Sequence, residues 1–358
     1  MEENTYMSLS LYEQIYQMDN LYLASKNAMK GKKSKSAVAK FWFYEDEKLA
    51  HIHELLKSRK YKFGRYTEFT INDNSVMRKI SAAPFVDRVV HHAIMNVLEP
   101  LFEKSYIYDT YANRKGKGTL AALKRAKYYA NKYKYVLQID IKKYFPSIDH
   151  EILTAMLYPK VQCSETMLML VGLIENSNMQ DDAYFYFDDD TLLTPYERRK
   201  GIPLGNLTSQ FFGNWYLNEF DHYIKEELRV KGYIRYVDDM TFFSNSKDFL
   251  EDLILVVDSY LDRFRLRIHP YKTVLQKSTD GIVFLGHKVY GTHFRLTSKA
   301  LNRGRKNLKK VKYAYKYNKI DLQQAKNKIF GSIGFFKMGK NSSMIDELLA
   351  HTSLCRSV

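Results

Sequence analysis

The stretch GYIRYVDDMTFFS, residues 232 to 244, has fewer ways to fold than any other part of the chain. Its apolar and aromatic residues predict two short strands, with the adjacent acids Asp238 and Asp239 at their junction. A carboxylate pair inside an apolar hairpin is costly unless a cation neutralises it. An isolated Asp is most often a turn or helix-cap residue. A hairpin turn built from Asp for conformational reasons alone normally carries Gly as well, and this one has none. The pair therefore points to cation binding.

A third acid belongs with it. KYVLQIDI, Lys134 to Ile141, is a β-type run that stops at Lys142-Lys143 and places Asp140 near its end. If that strand lies beside the hairpin, three acids converge on one sheet edge. Oxygen-only donors of this kind favour Mg²⁺. Two such ions about 4 Å apart activate an attacking hydroxyl and stabilise a leaving pyrophosphate, the two-metal route of nucleotidyl transfer.

Charge narrows the partner. The 358 residues carry a net charge of +16, which favours nucleic acid, with an acidic membrane surface as the competitor. From Leu301 to Val358 there are thirteen Lys/Arg against three Asp/Glu, so ten of the sixteen net charges lie there. Tyrosines and phenylalanines interleave them in KKVKYAYKYNK and GSIGFFKMGK, as expected of helices that track a phosphate backbone. A second basic cluster, KGKKSK, spans Lys30 to Lys35. No apolar run approaches the roughly 20 residues needed to span a bilayer, and MEENTYMSLS lacks a secretory pattern. Cys163 and Cys355 have no paired spacing, which predicts free thiols in a reducing cytoplasm.

The periodicity predicts a mixed fold. Residues 9 to 30 read as one helix ended by Gly31, residues 37 to 60 as a second and residues 85 to 103 as a third. Asp149 is the expected N-cap of another helix. Residues 207 to 230 and the tail from Ser298 read as helical, and residues 233 to 244 and 282 to 290 as strands. The insert from Gln180 to Lys200, with five Asp, reads as a hairpin with a solvated turn rather than a second metal site. Apart from adjacent His91-His92 and the pair His51/His53, the ten histidines lack ligand spacing, and all read as structural or surface residues. Strands among long helices, without repeats or a disordered linker, imply an α+β enzyme with a small sheet.

At this point the chain resembles the reverse transcriptases. YVDD matches their YxDD motif, and other blocks follow in the family's order. These are RKISAAPFVDRVVHHAIMNVLEPLFE, YANRKGKGTLAAL, LQIDIKKYFPSID, GIPLGNLTSQFFGNWYLNEFD, HPYKT and GIVFLGHKV, so that the resemblance spans about residues 9 to 300. It implies a right-hand polymerase fold: an N-terminal helical extension at 1–60, fingers at 61–133, and a palm of small antiparallel sheet plus helices at 134–295. The palm carries a fingers-like insert at about 176–200, and a basic helical thumb occupies 296–358.

By the same resemblance Asp140, Asp238 and Asp239 hold two Mg²⁺ ions, or Mn²⁺ in their place, and the backbone carbonyl of Ile141 completes a metal shell. Phe145 is an aromatic gate that excludes a 2′-hydroxyl. Arg78 and Lys272 meet the incoming nucleotide's phosphates, Arg114 and Lys117 contact nucleic-acid or nucleotide phosphates, and Tyr236 supports the primer end. Arg303, Arg305, Lys309 and Lys310 are the thumb cations expected on the nucleic acid.

One block departs from the common pattern. Most reverse transcriptases have QGxxxSP where this chain has Leu204-Gly205-Asn206-Leu207-Thr208-Ser209-Gln210. Aliphatic-Gly-xxx-Ser-Gln is similar to the enzymes of diversity-generating retroelements, which copy a template RNA while misincorporating opposite adenines. The usual Gln offers an amide to the nucleotide's sugar, and Leu204 offers only bulk. That would loosen nucleotide positioning by roughly 1 kcal/mol, and Leu204, Gly205 and Gln210 are accordingly nucleotide-site candidates.

The resemblance implies as partners a template RNA and its cDNA, deoxynucleoside triphosphates, and a small basic accessory protein that oligomerises, with no membrane and a cytoplasmic location. An enzyme of the diversity-generating type is expected to be about this size, ending after the thumb without an RNase H or endonuclease segment. A group II intron or retron-like enzyme predicts Gln at 204 and, for introns, an added DNA-binding region. A catalytically idle RNA-binding or phage-defence protein on the same scaffold would not need Asp140, Asp238 and Asp239.

Overall fold

Residues 9–73, 76–177 and 184–339 are described by the structure, a computed structural model. The chain forms two compact units, each built from separated stretches. Residues 1–113, 140–228 and 256–270 make the first, and residues 114–139, 229–255 and 271–358 the second. Helices and small antiparallel sheets combine in the expected α+β manner.

The first unit is mostly helical. The helix expected over 9–30 is two, Leu11–Tyr16 and Met18–Met29, because Gln17 turns to ψ 137°. Asn20 stabilises the break: its amide donates to the carbonyls of Gln14 (3.2 Å) and Ile15 (2.9 Å), which have reached a helix end. The helix expected over 37–60 is also two, Ser36–Phe43 and Glu45–Lys57. Glu45, Asp46 and Glu47 fill the first turn of the latter, where the helix dipole favours negative charge. Phe85–Glu103 is the long helix the sequence predicts; Val89, Val90, Ala93, Ile94, Leu98 and Phe102 are fully buried along it.

Before that helix lies a hairpin the periodicity did not predict, β1 (Thr67–Asp73) paired with β2 (Val76–Ala82). The helix expected over 207–230 is divided into Leu207–Tyr216, Asn218–His222 and a π-turn at Tyr223–Glu227. Asp149 caps His150–Leu157 as expected, accepting from the N–H groups of Glu151 (2.9 Å) and Ile152 (3.2 Å).

The acidic insert differs from the expected solvated hairpin. Residues 180–183 lie outside the described residues, and 184–200 contain a turn and the short helix Thr194–Glu197. Asp188 and Asp189 are exposed, but Asp190 pairs with Arg198, their side chains 3% and 7% exposed. Arg198 also approaches Asp149 at 3.4 Å, and Arg265 binds Asp149 at 2.7 Å. Asp190 is thus a counter-charge for a buried arginine.

The second unit holds the main sheet. β3 (Tyr135–Ile139), β4 (Gly232–Tyr236), β5 (Asp239–Ser244) and β6 (Val274–Lys277) run antiparallel in the order β4-β5-β3-β6. Val136, Leu137, Tyr233, Ile234 and Phe242 are fully buried in it. The helix Thr119–Lys132 packs beside β4, where the Tyr129 hydroxyl donates to the Lys231 carbonyl at 2.9 Å. A smaller sheet of β7 (Ile282–Phe284), β8 (His287–Val289) and β9 (Phe294–Leu296) follows.

The basic tail is helical as expected, with Ser298–Lys316 packed on Leu322–Phe336; residues 340–358 lie outside the described residues. Gly304 is required at their crossing, since a Cβ there would sit 2.0 Å from Cζ of Phe336. Among the described residues no helix is long and apolar enough to cross a membrane.

Candidate active site

The acidic hairpin is as tight as the sequence implies. Tyr236 faces Asp239, leaving Val237 and Asp238 as a two-residue turn between β4 and β5. Val237 adopts φ +61°, a left-handed conformation that a β-branched residue rarely takes. Arg235, fully buried, donates from Nη1 to the Val237 carbonyl at 2.9 Å. Asp238 is half-buried and Asp239 exposed, so both carboxylates border solvent. The Tyr236 hydroxyl lies 3.2 Å from Oγ1 of Thr119.

Ile139, the last residue of β3, faces Met240 of β5, and Asp140 follows it in the chain. In the first unit the Asp140 carbonyl accepts from the His269 N–H (2.7 Å) and the Lys142 N–H donates to the Arg267 carbonyl (2.8 Å). Those bonds flank an antiparallel bridge between Ile141 and Ile268. A residue in such a non-bonded pair directs its own N–H and C=O away from the partner. The Ile141 carbonyl therefore points to the side opposite Ile268.

Phe145 packs over helix Leu207–Tyr216, its ring 3.1 Å from where a Cβ on Gly213 would be. The Ile202 N–H donates to the Phe145 carbonyl at 3.0 Å, tying the ring's backbone to the strand of chain before Leu204. Leu204 is half-buried and Gly205 exposed at φ +99°, a conformation suited to glycine. Asn206, which the sequence reading passed over, anchors this turn. Its amide donates to the Ser81 carbonyl at 2.9 Å, and its Oδ1 accepts from the Ala83 N–H at 3.4 Å. Gln210 is half-buried one turn into the following helix.

The remaining candidates lie on other elements. Arg78 lies in β2 opposite Ile71, and its side chain lies outside the described residues. Lys272 is exposed. Arg114 and Lys117 are half-buried in one tight turn, with the Lys117 N–H donating to the Arg114 carbonyl at 3.3 Å. Arg303 and Lys310 line a groove of about 610 Å³ between the two tail helices together with Lys328. Arg305 and Lys309 do not line it.

Among the described residues no group of three or more His, Cys, Asp or Glu side chains is gathered to hold a metal ion. Mg²⁺ usually keeps several waters and is bound through one or two carboxylates plus substrate phosphates. A turn presenting Asp238 and Asp239 at the solvent border fits that donor habit. Of the histidines, His91 is 2% exposed and burial pushes its pKa down to about 3, which suits a packing role.

The family described as reverse transcriptase (RNA-dependent DNA polymerase) matches residues 70–289. Protein YkfC of Escherichia coli (strain K12) is 20% identical over 254 residues, 60% of this chain and 64% of YkfC. The group II intron-encoded protein LtrA of Lactococcus lactis subsp. cremoris is 22% identical over 226 residues, 62% of this chain and 36% of LtrA. The chain thus spans less than two thirds of either relative. Among solved structures, apo telomerase from Candida tropicalis truncated from its C-terminal domain aligns with a TM-score of 0.47 at 13% identity, covering 68% of this chain and 58% of that one.

Proposed function

The chain belongs to the reverse transcriptase family, the RNA-dependent DNA polymerases, and on that premise we propose that it serves a diversity-generating retroelement, copying a template RNA into cDNA with misincorporation opposite adenines. The observation that carries the subclass is Leu204 in the turn Leu204-Gly205-Asn206, where a Gln would offer an amide to the nucleotide.

Asp140, Asp238 and Asp239 are the proposed metal-holding acids. The support is register: Ile139 faces Met240, and one residue outward from each come Asp140 and Asp239. The bound Mg²⁺ ions would activate the primer hydroxyl and stabilise the leaving pyrophosphate. The chain's own groups orient the reactants. The Ile141 carbonyl, directed away from Ile268, offers one further oxygen. Phe145, braced on Gly213, presents a flat ring that would exclude a 2′-hydroxyl. Leu204 fills space beside the nucleotide without fixing its sugar. Arg78, Lys272, Arg114 and Lys117 would neutralise phosphates of nucleotide and template, Tyr236 would support the primer end, and Arg303, Arg305, Lys309 and Lys310 would meet the duplex backbone. A small basic oligomeric accessory protein is the proposed protein partner.

The test is sequencing of cDNA made by the purified protein on an RNA template containing all four bases. Errors concentrated at template adenines support the reading, and an even error spectrum excludes the subclass. A second reading, a group II intron-like enzyme, is favoured by the similarity to LtrA. It predicts synthesis without an adenine bias.

A further inference from the structure

Arg235 is the largest fully buried side chain among the described residues, at 0% exposure. Placing a guanidinium out of water is costly, and breaking its contacts is more so. It faces Met240 across β4 and β5, while the next pair outward is Tyr236 and Asp239. Because side chains alternate along a strand, Arg235 occupies the sheet face opposite Tyr236 and Asp239. It does not share a face with that acid. Its guanidinium reaches forward to the backbone of the turn, donating to the Val237 carbonyl at 2.9 Å.

That carbonyl belongs to the one strained residue of the turn. Val237 stands at φ +61°, where a two-residue hairpin ordinarily uses Gly, Asn or Asp. A β-branched side chain relaxes toward the extended region unless its surroundings prevent it. Such relaxation would rotate the peptide between Val237 and Asp238 and swing the Asp238 carboxylate away. The Arg235 bond opposes that rotation, and its planar fork aims a donor along a fixed direction, which a lysine ammonium on a flexible stem does not.

We propose that Arg235 is a positioning residue that holds the strained Val237 turn, and so sets where Asp238 and Asp239 present their oxygens to a divalent cation. The proposal deepens the polymerase reading and rests on its assignment of those two acids.

The experiment compares the full chain with Arg235→Lys and with Arg235→Lys/Val237→Gly. Two quantities are read: the Mg²⁺ concentration for half-maximal primer extension, and Mn²⁺ binding without nucleotide, followed by electron paramagnetic resonance. Loss of a group that orients metal ligands typically weakens metal affinity about 10-fold or more. Arg235→Lys should shift both quantities in that sense while leaving the Kd for template–primer unchanged. Adding Val237→Gly removes the strain that Arg235 restrains, and should return both toward the starting protein.

Metal affinity unaltered in Arg235→Lys overturns the proposal, and so does a shift that Val237→Gly leaves in place. A single variant that does not fold while the double variant folds and binds metal normally supports it. Failure of both to fold makes Arg235 a general core element and overturns it. If the starting protein makes no DNA but binds Mn²⁺ and the two variants behave as stated, the polymerase reading fails and the turn assignment stands. A starting protein that binds no Mn²⁺ overturns the turn assignment.

Discussion

Asn206 holds the carbonyl of Ser81 at 2.9 Å across 125 residues of chain, fastening the turn that carries Leu204 to the end of the β1/β2 hairpin. The same side chain accepts from the Ala83 N–H at 3.4 Å. Both bonds are buried, so Asn206→Ala would remove two buried hydrogen bonds. A loss of about 1–3 kcal/mol is expected, measured as a lower urea midpoint. A raised KM for nucleotide should accompany it if the turn positions substrate.

Removing one acid should separate chemistry from binding. Asp238→Ala is expected to lower primer extension by about a thousandfold or more, since the metal supplies several kcal/mol of transition-state stabilisation. Affinity for template–primer should be retained. Full synthesis by Asp238→Ala in a primer-extension assay would remove it from the site.

Leu204→Gln would supply an amide at the position proposed to border the nucleotide. Misincorporation opposite adenine should fall several-fold, in keeping with roughly 1 kcal/mol of added discrimination. An unchanged error spectrum in sequenced cDNA removes Leu204 from the explanation.

Phe145→Val opens the space against Gly213 that the ring now fills. If Phe145 is the proposed gate, incorporation of ribonucleotides relative to deoxyribonucleotides should rise about 10-fold or more, because a steric exclusion would be relieved rather than a single contact weakened. The ratio of kcat/KM values for the two nucleotide types reads it directly.

His91 ties stability to pH. Burial holds its folded-state pKa near about 3, below the usual value of 6.5, and its Nε2 has no hydrogen-bond partner among the described residues. Only the unfolded chain takes up a proton readily between those values. The stabilisation is therefore fully present above pH 6.5 and is lost as pH falls through the interval toward 3. At pH 5 the cost is about 2 kcal/mol. His91→Phe, which keeps a ring against Phe63, should remove that share of the difference between denaturation midpoints at pH 7 and pH 5. His92 and His150 are also lowered by burial and leave a residual slope of the same sign.

The elements readable in the sequence were those whose apolar residues face a core. Phe85–Glu103 and the β4–β5 hairpin carry that pattern plainly, and so does the Asp149 cap. The β1/β2 hairpin does not, because Phe69 and Ile71 are 49% and 40% exposed and the strands are held by their mutual pairing. β6 is an edge strand with no buried residue, and was missed for the same reason. Helix breaks at Gln17 and Tyr44 leave the hydrophobic spacing nearly continuous, so only the side-chain bonds of Asn20 and the acids after Tyr44 mark them. At the site, the acids were legible as an unexplained cost. Asn206 and Arg235 were not, since they bind backbone groups that no residue pattern advertises.

The crossing of Gly304 and Phe336 gives the tail its own economy of design. Helix spacing there is set by a missing side chain on the inside, while Lys306 and Lys309 are exposed and do not line the groove between the helices. Exchanging such exposed cations can therefore alter the charge of the tail without retuning the packing of its helices.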